Sequence, residues 1–296
     1  MIKHLLFLLS FLLLSSAEDL STKSPMLWEI SGSSLEKPSY LFGTFHSKDP
    51  EIATLHPSVI LALDHTDTLY TEITMTHKSS QEVFSFTRLA KPFPLKERLR
   101  AKTLKSLSTY LQSSRSGLSL KKLSHFKTWG IALMIGNEEE MNHPNVLFMD
   151  EKLSKYAKEQ QIQQSGLETV IEQLSYFENL DHSEQEQLLL DTLNQKETTD
   201  YKEALKAWYQ KGSAEGFFAL QERFASDDLQ QQQLDKKLIA GLLLDRNRHF
   251  IKRIDLLFQK NFTHRYFFAV GAGHLSGEEG LLKRFEHLGY RVKKIN

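Results

Sequence analysis

The chain has 296 residues, carries 37 basic and 37 acidic side chains, and contains no cysteine. That balance leaves no basic excess to neutralise phosphates, which argues against nucleic acid as a partner. The absence of cysteine excludes disulfides, thiolate ligands and a thiol nucleophile, so any metal must be held by His, Asp or Glu.

In chain order, Lys3 and His4 precede an apolar run from Leu5 to Leu14, broken only by Ser10. Ser15-Ser16-Ala17 and then Glu18-Asp19 follow. That is the anatomy of a secretory signal peptide, residues 1–17, with cleavage expected after Ala17 and export to the periplasm or the exterior. The run is far shorter than the roughly 20 apolar residues of a membrane span. With no polybasic run and no second hydrophobic span, no stable membrane anchor is expected. Residues 18–296 suit one domain.

Ser39–Phe42 reads as a short apolar strand ending at Gly43, Pro57–Asp64 as a helix opened by proline, and Thr68–Ile73 as a β-branched and aromatic strand. Strand, helix and strand at this spacing read as a compact βαβ unit with a parallel pair. From about 79 to 262 the pattern is mainly helical, interrupted by a strand-like Ile162–Glu168. Arg265–Val270 is again an apolar strand, Leu281–Leu288 a helix and Tyr290–Ile295 a terminal strand. The expected class is α/β: a central, mostly parallel sheet with flanking helices and a large helical insertion.

One unit recurs: apolar strand, Gly-x-x-His, helix. It occurs at Tyr40–His46, with Gly43 and His46, and at Phe267–His274, with Gly271 and His274. Ligands of open parallel sheets bind beyond the carboxyl ends of the strands. His46, Glu72, Glu168 and His274 all stand at or just past such ends, and Tyr40–Phe42, Thr68–Ile73 and Arg265–Val270 are expected to lie side by side as parallel strands, which would gather them at one edge. Gly43, Gly271 and Gly273 allow sharp turns and close backbone approach to a ligand. Two imidazoles and two carboxylates suffice to hold a divalent ion such as Mn, Co or Zn, which acidifies water and polarises a carbonyl. A single Gly-x-x-His is more often a turn histidine than a ligand, and its recurrence at equivalent positions is what gives it weight. No Gly-x-Ser-x-Gly elbow, Walker A loop or His-Glu-x-x-His helix is present.

Leu27-Trp28-Glu29-Ile30, followed by Pro38–His46, resembles the opening of TraB/GumN/TIKI (PrgY-like) proteins. Thr71-Glu72-Ile73 is similar to the family's acidic strand end. Met149-Asp150 through Gly166-Leu167-Glu168-Thr169 to Gln173 resembles its middle block, and Leu244-Asp245-Arg246-Asn247 its Arg-Asn block. Phe268–Leu275 with Gly277-Glu278 resembles its closing block, and Gly289–Val292 its terminus. The resemblance implies His46, Glu72 and His274 as metal ligands, with Glu72, Glu168 and Arg246 as catalytic groups. It implies hydrolysis of a peptide or ester bond, because the family includes metal-dependent proteases, with Glu72 or Glu168 moving a proton and Arg246 stabilising negative charge. TIKI proteins carry a C-terminal membrane tail. The end at Asn296 without one leads to the expectation of a soluble product, whose partner is a peptide or small-molecule substrate. Relatives related to erythromycin esterases and to haem-binding proteins keep two alternatives open: a metal-independent esterase that uses a His as base, and a non-catalytic protein that sequesters a peptide or haem. Asp49, close to His46, is a candidate to orient its ring.

Overall fold

Among the described residues, six strands form one mixed sheet in the order β4-β3-β5-β2-β1-β6. They are Leu27–Ser31 (β1), Ser39–Thr44 (β2), Thr68–Thr71 (β3), Gln163–Gly166 (β4), Tyr266–Gly271 (β5) and Arg291–Ile295 (β6). This computed structural model describes residues 24–32, 35–47, 49–114, 116–137, 147–194 and 199–296. The expected signal peptide lies outside the described residues. Among them, no helix is long and apolar enough to cross a membrane.

Side-chain chemistry accounts for the strand order. Phe267, Phe268, Ala269 and Val270 of β5 are fully buried, and a strand that is apolar on both faces belongs inside a sheet covered by helices on both sides. The polar Gln-Gln-Ser-Gly of β4 takes one edge, and β6, with Arg291, Lys293 and Lys294, takes the other. Charge on an edge strand discourages pairing with other chains.

β5 is parallel to β2 on one side and to β3 on the other, and β3 is parallel to β4. β1 runs antiparallel to both β2 and β6. The simple βαβ reading is therefore corrected in one respect. β2 and β3 point the same way but are not hydrogen-bonded neighbours, because the strand from the far end of the chain lies between them. The parallel direction still brings the segments after β2, β3, β4 and β5 to one edge, as expected from the sequence.

Two apolar cores share the molecule. One surrounds the sheet and includes Leu41, Leu69, Leu167, Leu243, Phe250 and Phe268. The other lies among the helices of the middle segment and includes Leu107, Trp129, Val170, Leu188, Leu238 and Leu242. Three stretches cross between them. Leu69 packs in the sheet core and Ile73 against the helical one; Leu167 and Val170 divide in the same way, as do Leu243 and Leu242. Glu72, Glu168 and Arg246 stand at these crossings. The last follows a π-helical stretch, Ala240–Asp245, which leads directly into the helix Arg246–Lys260; such π turns concentrate at functional sites.

Gly43 lies inside β2 rather than in a turn. A Cβ there would sit 2.7 Å from Leu275 Cδ1 and 3.1 Å from Ala272 Cα. Its role is close approach between β2 and the 3-10 turn Ala272–Leu275 that carries His274. Gly43→Ala is expected to destabilise the fold by about 1–3 kcal/mol, the usual cost of overpacking. Gly136→Ala, whose Cβ would meet only Thr192 Cγ2 at 3.7 Å, is expected to cost less than about 1 kcal/mol. Urea denaturation midpoints of the two variants test this, and equal midpoints would remove the packing role.

Candidate active site

Glu72 directly follows β3. Its Oε1 accepts the backbone N–H of Gly271, at the end of β5, at 2.7 Å. Its Oε2 accepts from Gln173 Nε2 at 3.2 Å and from Arg246 Nη2. Glu168 lies two residues past β4; its backbone N–H donates to the carbonyl of Glu72 at 2.8 Å, which sets the two carboxylates side by side. Arg246 Nε and Nη2 donate to Glu168 Oε1 at 2.9 and 2.6 Å. Arg246 Nη1 donates to the Leu242 carbonyl at 3.0 Å and approaches His274 Nε2 at 3.1 Å. Each of the guanidinium's N–H donors thus has an acceptor, in the fork geometry that suits carboxylates.

His274 is buried, at 2% exposure. Its Nε2 lies 3.5 Å from Glu72 Oε1, and its Nδ1 lies 2.7 Å from Asn247 Oδ1. Burial opposes charge on Glu72, but Arg246, His274 and the Gly271 N–H outweigh it and hold the carboxyl down at about 2. Burial, and then the charge of Arg246, push His274 down to about 3, so the ring is neutral. Burial raises the carboxyl of Glu168, which Arg246 only partly offsets. Burial also disfavours the charge on Arg246, yet Glu72 and Glu168 hold it protonated beyond its ordinary range.

One titratable neighbour was given no role in the sequence reading. Asp150, in the first turn of the helix Met149–Glu159, is hydrogen-bonded by the side chain of Thr44 at the end of β2. Burial, then the charge of Glu72, push its carboxyl up to about 7. Gln173 and Asn247 also join the cluster unassigned. All three sit in stretches quoted above for the family resemblance, so the signal available was adjacency to Met149, Thr169 and Arg246. A polar residue inside such a block resembles a capping or surface residue until the fold turns it inward.

The structure brings Glu72, Glu168, Arg246 and His274 together. His46 stacks on the ring of Phe148, with centroids 3.7 Å apart and planes inclined by 24°. Asp49 caps the helix Pro50–Ala53 by accepting from Glu51 N at 2.9 Å, and pairs with Lys206 at 2.8 Å. Among the described residues, no group of three or more His, Cys, Asp or Glu side chains is arranged to hold a metal ion. The donor chemistry of the pair His274 and Glu72 nevertheless suits one. Because a guanidinium only donates, Nε2 carries the lone pair that Arg246 Nη1 meets at 3.1 Å, and a carboxylate oxygen of Glu72 lies 3.5 Å from the same nitrogen. Two lone-pair donors meeting in this way call for a cation, and Arg246 supplies the positive charge in this arrangement.

The model of the TraB/PrgY/gumN family matches residues 26–294. The chain belongs to this family. The match includes every site residue from Thr44 to His274. Among curated proteins the chain is similar to Metalloprotease TIKI1 of Danio rerio, 24% identical over a 317-residue alignment that covers 92% of this chain and 63% of that protein. It is also similar to Metalloprotease TIKI2 of Danio rerio, 37% identical over 65 residues, 22% of this chain and 12% of that protein. The chain therefore spans less than two thirds of either relative. No solved structure matches it.

Asp150 makes the stability of the fold depend on pH. A carboxyl raised from 3.8 to about 7 by folding binds its proton more tightly in the folded state. It contributes stability that is full below the unfolded value and is lost as pH rises through the folded one. Asp150→Asn removes that loss. Relative to the parent, the variant is expected to be more stable at pH 8 than at pH 5, measured by urea denaturation at both. The same difference in midpoint at the two pH values would show that Asp150 titrates normally.

Proposed function

We propose that the chain is an exported, metal-dependent hydrolase, protease-like in action, that cleaves a peptide or ester bond. The observation that carries the reading is the buried pair of His274 and Glu72, 3.5 Å apart at the carboxyl edge of a parallel sheet. Membership of the TraB/PrgY/gumN family and distant likeness to proteins named metalloproteases support it.

A divalent cation such as Mn, Co or Zn supplies Lewis acidity and acidifies water when bound. His274 and Glu72 would hold it, with His46 as the third ligand. Gly271 N–H and Gln173 fix the orientation of Glu72, and Asn247 that of His274. Arg246 serves negative charge that develops on a substrate carbonyl, or grips a carboxylate. Glu168 keeps that guanidinium aimed at the centre. We give the movement of the proton to Asp150 rather than to Glu72 or Glu168, because a carboxyl near neutrality can both take up and release a proton at physiological pH. Glu72, held near 2 with both oxygens engaged, is a weak base. A metal-independent mechanism would rest on His274 as base, and a ring held at about 3 is poorly suited to that.

The decisive experiment measures metal content by mass spectrometry and cleavage of a peptide library on the same preparations. The His46→Ala, His274→Ala double variant is expected to lose its metal and to cleave at least roughly 100-fold more slowly, since even indirect ligand supports are worth 10–100-fold. Undiminished metal and cleavage would overturn the reading. Export rests on the Leu5–Leu14 core and Ser15-Ser16-Ala17. In a Gram-negative host the full-length chain is expected to yield a periplasmic product beginning at Glu18, and N-terminal sequencing that finds Met1 on that product would refute processing.

A further inference from the structure

A neutral imidazole carries one N–H, and its partners decide which nitrogen holds it. His274 has a partner on each side, and neither can change its hydrogen-bonding role. Asn247 Nδ2 donates to the carbonyl of His274 at 3.1 Å and to the carbonyl of Glu279 at 2.9 Å. Those two acceptors fix the nitrogen end of the amide, so its oxygen end is the one 2.7 Å from His274 Nδ1. An amide oxygen only accepts, and Nδ1 must therefore carry the hydrogen. On the opposite side, Arg246 Nη1 stands 3.1 Å from Nε2. A guanidinium only donates, and Nε2 must therefore carry the lone pair. The reversed tautomer would set lone pair against lone pair at Asn247 and N–H against N–H at Arg246.

We propose that Asn247 is the positioning residue of His274: its side-chain amide locks the ring as the Nδ1–H tautomer and keeps the Nε2 lone pair on the side of Arg246 and Glu72, where a cation that displaced the Arg246 N–H would meet it. The proposal rests on the metallohydrolase reading for the use of that lone pair, while the tautomer itself follows from the hydrogen bonds alone. Asn247 is suited to the task. It is 1% exposed, so water does not compete for Nδ1. Its two carbonyl contacts tie the helix Arg246–Lys260 to the backbone of the 3-10 turn and to the loop at Glu279, so one side chain sets both the place and the protonation of the ring. Arg246 and Asn247 are consecutive, and on a helix consecutive side chains diverge by about 100°. That divergence places one at each nitrogen of the same imidazole.

The test is two-bond proton–nitrogen correlation NMR on the full-length, metal-free chain with 15N-labelled histidine, the signals of His274 being identified by their loss in His274→Gln. The expected result is a protonated Nδ1 and a bare Nε2 at pH 7. Arg246→Met should keep that pattern, because Asn247 sets it. Asn247→Asp should keep it too, because a carboxylate oxygen still accepts. Combining Asn247→Leu with Arg246→Met should give an averaged mixture. In Asn247→Leu, affinity for added Mn or Zn, titrated directly, should fall about 10–100-fold, with most of it restored in Asn247→Asp. A protonated Nε2 or an averaged ring in the parent protein overturns the proposal whether or not the Asn247 and Arg246 variants fold. The expected tautomer in a parent that takes up no metal upholds the role of Asn247 and sinks the metallohydrolase reading instead.

Discussion

The guanidinium of Arg246, held between Glu72 and Glu168, is the interaction on which the site depends. Its carboxylate partners come from the ends of β3 and β4, and its own helix follows from the helical middle segment. Taking such groups out of water is expensive, and the attraction between them recovers that cost only when the hydrogen bonds are complete. Here they are complete on the arginine side, so removing Arg246 would strand two carboxylates at a cost of about 3–5 kcal/mol. Apolar residues of similar volume would hold the seam between the two cores at least as well. The charges are therefore better understood as serving specificity and chemistry than stability, and the ordered donors around Glu72 are what a preorganised centre requires.

Much of this was legible in the sequence. The run Tyr-Phe-Phe-Ala-Val marks β5 as a strand buried on both faces, and the residues after each parallel strand do meet at one edge. The side-by-side parallel placement of β2, β3 and β5 was legible through the residues they carry, but not that β5 lies in the middle, because the neighbours of β3 are set by segments about 100 and 200 residues away in sequence, which local pattern does not encode. Gly43 illustrates a subtler limit. Its position before a histidine suggests a turn, whereas its reason lies in Leu275 and Ala272, at the other end of the chain. Asp150 stayed hidden for a similar reason. In sequence it is one more acid in a helix's first turn, where acids are common, and only the packing of that turn beside Thr44 and Glu72 makes it distinctive.

The two Gly-x-x-His motifs look alike and are built differently. In the second, Gly271 donates its N–H to Glu72 and His274 is buried with both nitrogens engaged. In the first, Gly43 is a packing contact within a strand and His46 is only partly buried, against the face of Phe148. One histidine is thus fixed at both ring nitrogens, and the other stacks on Phe148. In the proposed mechanism His274 and Glu72 define where a cation would sit, with His46 as the third ligand.

The carboxyls divide the labour in the same spirit. Glu72 and Asp150 face each other's charge, and the environment drives them apart, to about 2 and about 7. Arg246 and the Gly271 N–H attach to only one of them, so the negative charge settles on Glu72 and the proton on Asp150. Paired groups separated in this way commonly mark the ligand or electrostatic partner on one side and the proton carrier on the other. A cation taken up beside Glu72 would weaken its repulsion of Asp150 and lower the affinity of Asp150 for its proton. Occupancy of the centre and readiness of its base would then be linked through a single electrostatic contact, with no movement of the backbone required.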